Sequence, residues 1–121
     1  MSEDDFCYLT TSGRISGEPH EIEIWYEIDP IAPATVFLLA GAGRSSDWVR
    51  NLAHDPTAAL RFGTDPSEHA VHGRVLDGDD DGDEARRARD AVYAKYQPRG
   101  HGDLAPWRER SLPVALALGS D

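Results

Sequence analysis

The sequence is poor in two residue types that often carry chemistry, and each scarcity narrows what the protein can be. Its 121 residues include one cysteine, Cys7, which cannot form a disulfide within the chain. The apolar neighbours of Cys7 favour a packed thiol over a nucleophile. There is one lysine, Lys95, so almost all positive charge is arginine, the side chain suited to bidentate contacts with phosphates and carboxylates. No apolar run is long enough to span a membrane.

Motifs of common metal and catalytic sites are missing as well. The histidines stand on different predicted elements without matching cysteines, so they predict no zinc site; they are His20, His54, His69, His72 and His101. No serine or cysteine lies in a nucleophile elbow, and no two carboxylates are spaced as an acid and base pair. The acidic run 77–82 begins like a calcium loop, but Ala88 stands where that loop needs its bidentate glutamate. We therefore predict no metal and no catalytic side chain, so an enzyme of this sequence would rely on a bound cofactor.

Charge and length exclude further classes. The formal net charge of −10 disfavours binding to nucleic acid or to an anionic membrane, because the long-range field repels phosphates. The first residues are acidic where a signal peptide needs a basic region, so we expect a cytoplasmic protein. The length favours one domain over residues 1–121, with small molecules as its partners.

The hydrophobic pattern predicts a mainly β (α+β) fold. Apolar alternation and turn residues indicate six strands and two helices: strands at 6–11, 20–28, 35–40, 57–63, 70–77 and 112–118, and helices at 48–54 and 83–96. The run 35–40 is almost continuously apolar, as in a strand covered on both faces. Since most strands are joined by turns and the helices do not alternate with them, we predict an antiparallel barrel or half-open barrel rather than a doubly wound parallel sheet.

A glycine turn at residues 10–19 is a candidate anion site. It carries Arg14 and several hydroxyl groups, and Gly13 and Gly17 permit a positive φ. Backbone N–H groups can then converge on one point beside the guanidinium. The simpler interpretation is a turn that only connects two strands.

A second candidate anion site is the loop 41–47. It combines two glycines, Arg44 and two serines with the start of a helix, whose free N–H groups and dipole attract negative charge. The alternative is a purely structural helix cap supplied by Ser46 or Asp47. The loop lacks the phosphate-loop lysine and the dinucleotide fingerprint, which argues against a nucleotide triphosphatase or a Rossmann oxidoreductase.

Aromatic side chains could line a pocket for a flat ring. Tyr96 and Trp107 are the candidates near the carboxyl end, although Tyr96 also fits the apolar stripe of the second helix. Trp25 interrupts the polar face of the run 20–28 and predicts a contact with a ligand or with a second copy in a homodimer.

Taken in order, several segments resemble the deazaflavin-dependent nitroreductase family. They are Leu9 to His20, the apolar strand with its glycine loop, Asp47 to Leu52 with Asp55-Pro56, and Arg110 to Val114. The resemblance implies a split β-barrel related to flavin-binding pyridoxamine-phosphate-oxidase-like proteins. Such proteins hold a flavin or the 8-hydroxy-5-deazaflavin coenzyme, coenzyme F420, in a groove at the barrel.

The resemblance also implies roles for individual residues. Those facing the phosphate and tail would be Arg14, Ser16, Gly17, Gly41, Gly43, Arg44, Ser45 and Ser46. Those along the ring would be Ile24, Trp25 and Tyr26, and those securing the groove from the helix would be Trp48, Arg50 and Asn51. The implied chemistry is hydride transfer from the reduced coenzyme to a quinone, nitroaromatic or other conjugated acceptor, with the protein orienting both.

Two departures from the family pattern leave alternatives open. The first concerns cations: Ile15 stands where a basic residue is common, and the loop before the helix is short, with Arg44 as its only cation. The second concerns the acceptor: residues 97–103 replace the family's aromatic substrate-side segment, so the acceptor pocket can differ or be missing. A cofactor with one phosphate, FMN, would suit the short loop. A barrel that binds a cofactor or another small molecule without turnover is the alternative from a different functional class.

Overall fold

Seven strands form one antiparallel sheet. The computed structural model describes residues 5–78, 81–100 and 102–119. The strands are β1 (Cys7–Ser12), β2 (Pro19–Ile24), β3 (Glu27–Ile28), β4 (Thr35–Ala40), β5 (Thr57–Phe62), β6 (His69–Val75) and β7 (Leu112–Leu118). The helices are α1 (Asp47–His54), α2 (Gly82–Tyr96) and α3 (Ala105–Arg110). The strand order is β2-β1-β5-β6-β7-β4-β3, and every neighbouring pair is antiparallel.

A two-residue link joins the opposite edges of this sheet. Strand β2 pairs with β1 at one edge and β3 pairs with β4 at the other, and only Trp25 and Tyr26 separate β2 from β3. The sheet therefore curls until its edges meet, which confirms the predicted antiparallel half-open barrel. The single predicted strand 20–28 is wrong, since it is two strands with different partners. The apolar alternation runs through the link, so it gave no sign of the change.

The inward side chains of the curled sheet form the first core. Its fully buried members include Leu9, Leu38, Leu60 and Leu116, and Leu52 of α1 packs against them. The four strand leucines point inward and alternate with neighbours on the outer face, because successive side chains of a strand point to opposite faces of the sheet. Burial of this apolar surface is the main force that closes the sheet.

A second core forms on the outside of the sheet, under α2. Phe37 and Leu39 of β4 pack there against the helix stripe, which is Ala85, Ala88, Val92 and Tyr96. The alternate β4 residues Val36 and Leu38 lie on the opposite face, in the first core. Both faces of β4 are thus covered, as its continuous apolar run predicts.

Helices α1 and α2 begin within one residue of the predicted positions, but α3 replaces a predicted polar connection. A single 3₁₀ turn, Gln97–Arg99, follows α2, and α3 begins with Pro106 in its first turn, where proline is favoured. Asp79 and Asp80 of the acidic run, and His101, lie outside the described residues. In the part of the chain that is described, no helix is both long and apolar enough to cross a membrane.

Candidate functional site

The first glycine turn, between β1 and β2, is closed by its own backbone. The amide of Gly13 donates to the carbonyl of Glu18 at 2.8 Å, and the amide of Gly17 donates to the carbonyl of Gly13 at 2.8 Å. The amide of Glu18 donates to the hydroxyl of Ser16 at 3.2 Å. Only Gly17 of the two glycines has a positive φ, 77°. The amides of Gly13 and Gly17 thus close the turn and are not free for an anion, so the predicted anion site rests on Arg14 and the other groups of the turn.

Arg14, at this turn, is held against helix α1. Its Nη1 donates to Oδ1 of Asn51 at 3.0 Å, and its backbone amide donates to the same oxygen at 3.2 Å. Asn51 is buried and donates from Nδ2 to the hydroxyl of Thr11 at 3.1 Å. Nη2 of Arg14 lies 3.4 Å from Oδ1 of Asp47, whose side chain is 84% exposed. A buried amide thus fixes one edge of the guanidinium, and an exposed carboxylate that an anion can displace occupies the other.

A cavity of about 330 Å³ opens beside Arg14 and is lined also by Ser16 and Asn51. The Ser16 hydroxyl accepts the Glu18 amide and can still donate its own proton. Ile15 lies at the rim with 91% of its surface exposed. The turn itself therefore offers the cavity one cation, Arg14, and one hydroxyl, Ser16, while the imidazole of His20 and the carboxylate of Asp47 complete its lining.

The second glycine turn leads from β4 into α1. Residues Gly43–Ser45 form a 3₁₀ turn, in which Gly43 has a φ of 62°. The hydroxyl of Ser45 donates to the carbonyl of Ala42 at 2.6 Å. Ser46 occupies the N-cap position of α1, but its side chain makes no capping hydrogen bond. The amides at the start of α1 therefore keep their attraction for an anion.

Helix α1 brings the two turns together. Asp47 and Asn51 contact Arg14, and Nε of Arg50 donates to the backbone carbonyl of Arg44 at 3.2 Å. Three arginines thus lie around the first two turns of one short helix. In an acidic protein this is a local concentration of positive charge.

Acidic side chains already pair with two of these arginines. Arg14 faces Asp47, and Arg44 forms an ion pair with Asp77. Both pairs are at the surface, where such interactions contribute little free energy. An incoming phosphate has to replace these carboxylates, and exposed pairs of this kind permit it.

An aromatic cleft adjoins the second turn. The ring of Trp25 stacks on Tyr96 with 4.3 Å between centroids and 5° between planes, and Trp107 meets Trp25 edge-on at 5.5 Å. The cleft has a volume of about 580 Å³, and Arg110 also lines it. A Cβ atom at Gly41 would lie 3.1 Å from Nε1 of Trp107. Gly41 is thus the point at which the glycine loop reaches the cleft, and a larger residue there would press on the indole.

The stack is supported from below by a buried polar network. The hydroxyl of Tyr96 accepts the amide of Tyr26 at 3.0 Å, and Nζ of Lys95 donates to the Tyr26 carbonyl at 2.9 Å. Burial lowers the pKa of Lys95 to about 8 and raises the pKa of Tyr96 above its ordinary value. Burial also raises the pKa of Cys7 to about 12, so this thiol is a packed side chain, as predicted, and not a nucleophile. The network fixes the backbone link that carries Trp25.

Some predicted site residues lie beneath the surface that the others form. The side chains of Tyr26 and Tyr96 are fully buried, so Tyr96 supports Trp25 from behind instead of lining the cleft. Ile24 and Trp48 are half-buried against the first core. Trp25 and Trp107 are the predicted aromatic residues that line the cleft.

Sequence reasoning missed the acidic partners and one cation of the cleft. Asp47 and Asp77 each stand 33 residues from the arginine they face, a separation with no local signal. Arg110 is the last residue of α3, and the missed helix hid its place in the cleft. The available signal was Pro106, which favours the first turn of a helix.

Comparison with known protein families identifies the family of this chain. The model of the F420H(2)-dependent quinone reductase family matches residues 1–118. The chain belongs to this family. The resemblance seen in the sequence is confirmed, and membership in the family supports coenzyme F420 as the cofactor.

Solved structures agree with the family on the fold. An F420-H2 dependent reductase is 18% identical, with a TM-score of 0.66 and 93% of each chain covered. A conserved hypothetical protein from Mycobacterium tuberculosis is 16% identical, with a TM-score of 0.68 and coverage of 98% of this chain and 76% of that one. A FAD-binding protein from Mesorhizobium loti is 12% identical, with a TM-score of 0.60 and coverage of 98% and 84%. No curated protein matches the sequence. At these identities the likeness shows the fold, which is of the split-barrel type.

Proposed function

We propose that the protein is a reductase that uses F420H2 to reduce a quinone, a nitroaromatic compound or another conjugated acceptor. One observation carries the proposal: Gly41 lies against Trp107 of the aromatic cleft, and the loop that begins at Gly41 ends at helix α1. Three arginines lie around the start of this helix, whose first amides have no side-chain cap. A flat ring joined to an anionic tail needs both surfaces side by side.

The chemistry of the residues fits such a coenzyme. The cleft volume lies within the usual range for small-molecule sites, roughly 300 to 1,000 Å³. Trp25 and Trp107 are its aromatic walls, and the rest of the lining is Asp103, Leu104, Pro106 and Arg110. The arginines provide donors suited to phosphate and carboxylate groups. When bound, the reduced coenzyme supplies the hydride, so no catalytic side chain is required.

The residues of this chain would then bind and orient. Trp25 and Trp107 would hold the ring and exclude water from the cleft. Arg44, Arg50 and the amides at the start of α1 would hold the phosphate. Arg14 and Ser16 would contact the tail.

Coenzyme titration tests the proposal. Purified protein is titrated with F420 and, separately, with FMN, while tryptophan fluorescence reports on the cleft. We expect saturable micromolar binding of F420 and none of FMN. Binding of FMN alone would favour the FMN reductase of the same fold, and binding of neither would end both proposals. Binding of F420 without turnover of any quinone or nitroaromatic compound would identify a non-catalytic binding protein.

The substitution Arg14→Ala tests the tail contact. We expect F420 binding to weaken by about 1.5 to 3 kcal/mol, the range for a hydrogen bond that involves a charged group. The matched control is Arg61→Ala, which removes an arginine paired with Glu21 on the outer face of the sheet and should leave the affinity unchanged. An unchanged affinity in Arg14→Ala, with the fold intact by circular dichroism, would remove Arg14 from the site.

The homodimer stays a prediction. Trp25 is half-buried in one copy, where it stacks on Tyr96. Sedimentation velocity with and without F420 measures whether two copies associate.

A further inference from the structure

A polar cavity between α2 and α3 lies apart from the proposed coenzyme surface. It has a volume of about 410 Å³ and is lined by Arg86, Arg89, Arg108, Asp90 and Glu109, together with the first turn of α2. It shares no lining residue with the aromatic cleft, because the two use different faces of α3. It is therefore a separate candidate site.

The positive charge in this cavity is only partly balanced. Arg108 engages both carboxylates, with Nη1 at 3.6 Å from Asp90 and Nη2 at 3.0 Å from Glu109. Across residues 5–78, 81–100 and 102–119, neither Arg86 nor Arg89 has a carboxylate within ion-pair distance. This is notable in a chain with 22 acidic and 12 basic residues, in which most arginines have acidic partners. Two neighbouring arginines without a carboxylate partner among the described residues leave the cavity attractive to an anion.

Arg89 carries a second, independent signal. Its Nη2 donates to the carbonyl of Ser111 at 3.2 Å, which fixes the guanidinium against the start of β7. Its Nε is buried and has no hydrogen-bond partner in the described part of the chain. A charged donor that is buried without an acceptor is unfavourable, so the Arg89 guanidinium is incompletely satisfied where it lines the cavity.

The first turn of α2 forms another part of the cavity wall. Gly82 and Ala85 line the cavity. Asp81 stands at the N-cap, but its carboxylate accepts the amide of Gly78 at 2.9 Å and makes no hydrogen bond to the helix. Glu84, also in this turn, is engaged by Arg74 at 2.9 Å. The amides at the helix start make no side-chain capping hydrogen bond and remain donors, while Asp83 in the same turn adds a negative charge that opposes an anion.

We propose that this cavity is a binding site for a small oxyanion, a carboxylate or phosphate group, held by Arg86, Arg89 and the start of α2. The donors of a guanidinium match two oxygens of such a group. The cavity shares no residue with the surface proposed for the coenzyme, so this proposal can fail while the proposed reductase function stands.

Titration with inorganic phosphate and with citrate, each compared with chloride at the same ionic strength, tests the site. The local readout is the ¹⁵Nε–¹Hε signal of Arg89, assigned by its disappearance in Arg89→Gln. We expect this signal to shift in a saturable way with at least one anion. We also expect affinity to fall roughly tenfold in Arg86→Gln, since each lost charge-assisted contact is of that order. Arg61→Gln is the control, and it should bind the anion as the wild type does.

The exposed position of Arg86 keeps the test valid if Arg89→Gln does not fold. A phosphate or citrate effect that competes with F420 and is lost in Arg86→Gln would assign the site to an anionic group of the coenzyme tail. An effect that F420 leaves unchanged would assign it to a free anion. Absence of a saturable shift with either anion, or equal affinity in wild type and Arg86→Gln, would overturn the proposal.

Discussion

The carboxylate of Asp47 opposes the anion that its neighbours would bind. It lies 3.4 Å from Arg14 and 84% of its side chain is exposed, so it neutralises the guanidinium without being fixed. An anion that reaches Arg14 must displace this carboxylate and then remain beside its charge. Exposed pairs of this kind contribute up to about 1 kcal/mol, which sets the size of the effect.

We expect Asp47→Asn to bind F420 about two to five times more tightly, because it removes that competition while preserving the shape of the side chain. Fluorescence titration at low salt measures the affinity. The matched control is Glu68→Gln, which changes the net charge equally at an exposed position on another loop. If Arg14→Ala weakens binding and Asp47→Asn leaves it unchanged, Arg14 belongs to the site and Asp47 does not compete.

Lys95 makes the stability of the fold depend on pH. Burial lowers its pKa to about 8 from an ordinary value of 10.5. Between these values the unfolded chain binds a proton that the folded chain has released, so stability rises with pH across this window. Cys7 and Tyr96 act in the opposite direction above about pH 9, because burial raises the pKa of both.

The comparison of wild type with Lys95→Met isolates the lysine. We expect the free energy of unfolding of the wild type, minus that of the variant, to rise by about 1 kcal/mol per pH unit from pH 8 to pH 10. Urea unfolding at several pH values measures it. A difference that stays flat over this range would show that Lys95 keeps an ordinary pKa in the fold.

At the level of elements, one ion pair ties α2 to the turn between β3 and β4. Asp29 is fully buried, and Arg87 of α2 binds both its oxygens, at 2.8 and 2.9 Å. Burial alone would raise the pKa of Asp29, but hydrogen bonds from Arg87 and from the amide of Ile31 outweigh it and lower the pKa. The pair therefore stabilises the fold above the unfolded pKa of about 3.9 and loses this contribution as the pH falls through the folded value.

We expect Arg87→Gln to lower the free energy of unfolding by about 3 kcal/mol at pH 7, because it leaves a buried carboxylate without its cation. Chemical denaturation measures the loss. The double variant Arg87→Gln with Asp29→Asn is the control and should recover part of it, since no buried charge remains. A loss well under 1 kcal/mol would mean that water reaches Asp29 and replaces the arginine.

Elements whose signals are local could be predicted from the sequence, and elements decided by their partners could not. The ends of α1 and α2 follow from apolar stripes and flanking turn residues, and the covered strand β4 follows from its composition. The break at Trp25 and Tyr26 exists because β2 pairs with β1 whereas β3 pairs with β4. Apolar alternation shows which face of a strand is buried but not which strand it pairs with. Helix α3 has six residues, too few for a periodic stripe to appear.

Residues of the candidate site likewise fall into two groups, those with a local sequence signal and those placed only by the fold. Arg14 and Arg44 could be found because each stands in a glycine turn. Their acidic partners could not, because only the curled sheet brings α1 and the segment after β6 to them. The ring pocket was predicted in part: Trp107 lines the cleft, whereas Tyr96 supports it from the core.

At the scale of the whole molecule, net charge acts against an anionic coenzyme. A formal charge of −10 repels a polyanion over distances longer than the local arginines can offset. Salt screens the long-range repulsion first, since the Debye length is about 10 Å at 0.1 M.

We therefore expect the association rate of F420 to rise as ionic strength increases from about 0.01 to 0.1 M. Stopped-flow fluorescence measures this rate. A deazaflavin that lacks the phosphate and the tail carries less charge and should show a shallower dependence. A rate that falls with salt would mean that the arginines around α1 steer the coenzyme despite the acidic surface.

The two-residue link at Trp25 and Tyr26 also sets where the chain tolerates changes in length. Side chains alternate between the two faces of a strand. The loss or gain of one residue in the link would therefore move the inward side chains of either β2 or β3 to the outer face of the sheet. No neighbouring loop could absorb the shift, because β1 holds the register of β2 and β4 holds that of β3. The segment from Pro30 to Pro33, between the anchored residues Asp29 and Ala34, is not part of either strand and has no such double constraint. Insertions and deletions should therefore accumulate in that segment among related sequences, while the spacing between Ile24 and Glu27 stays constant.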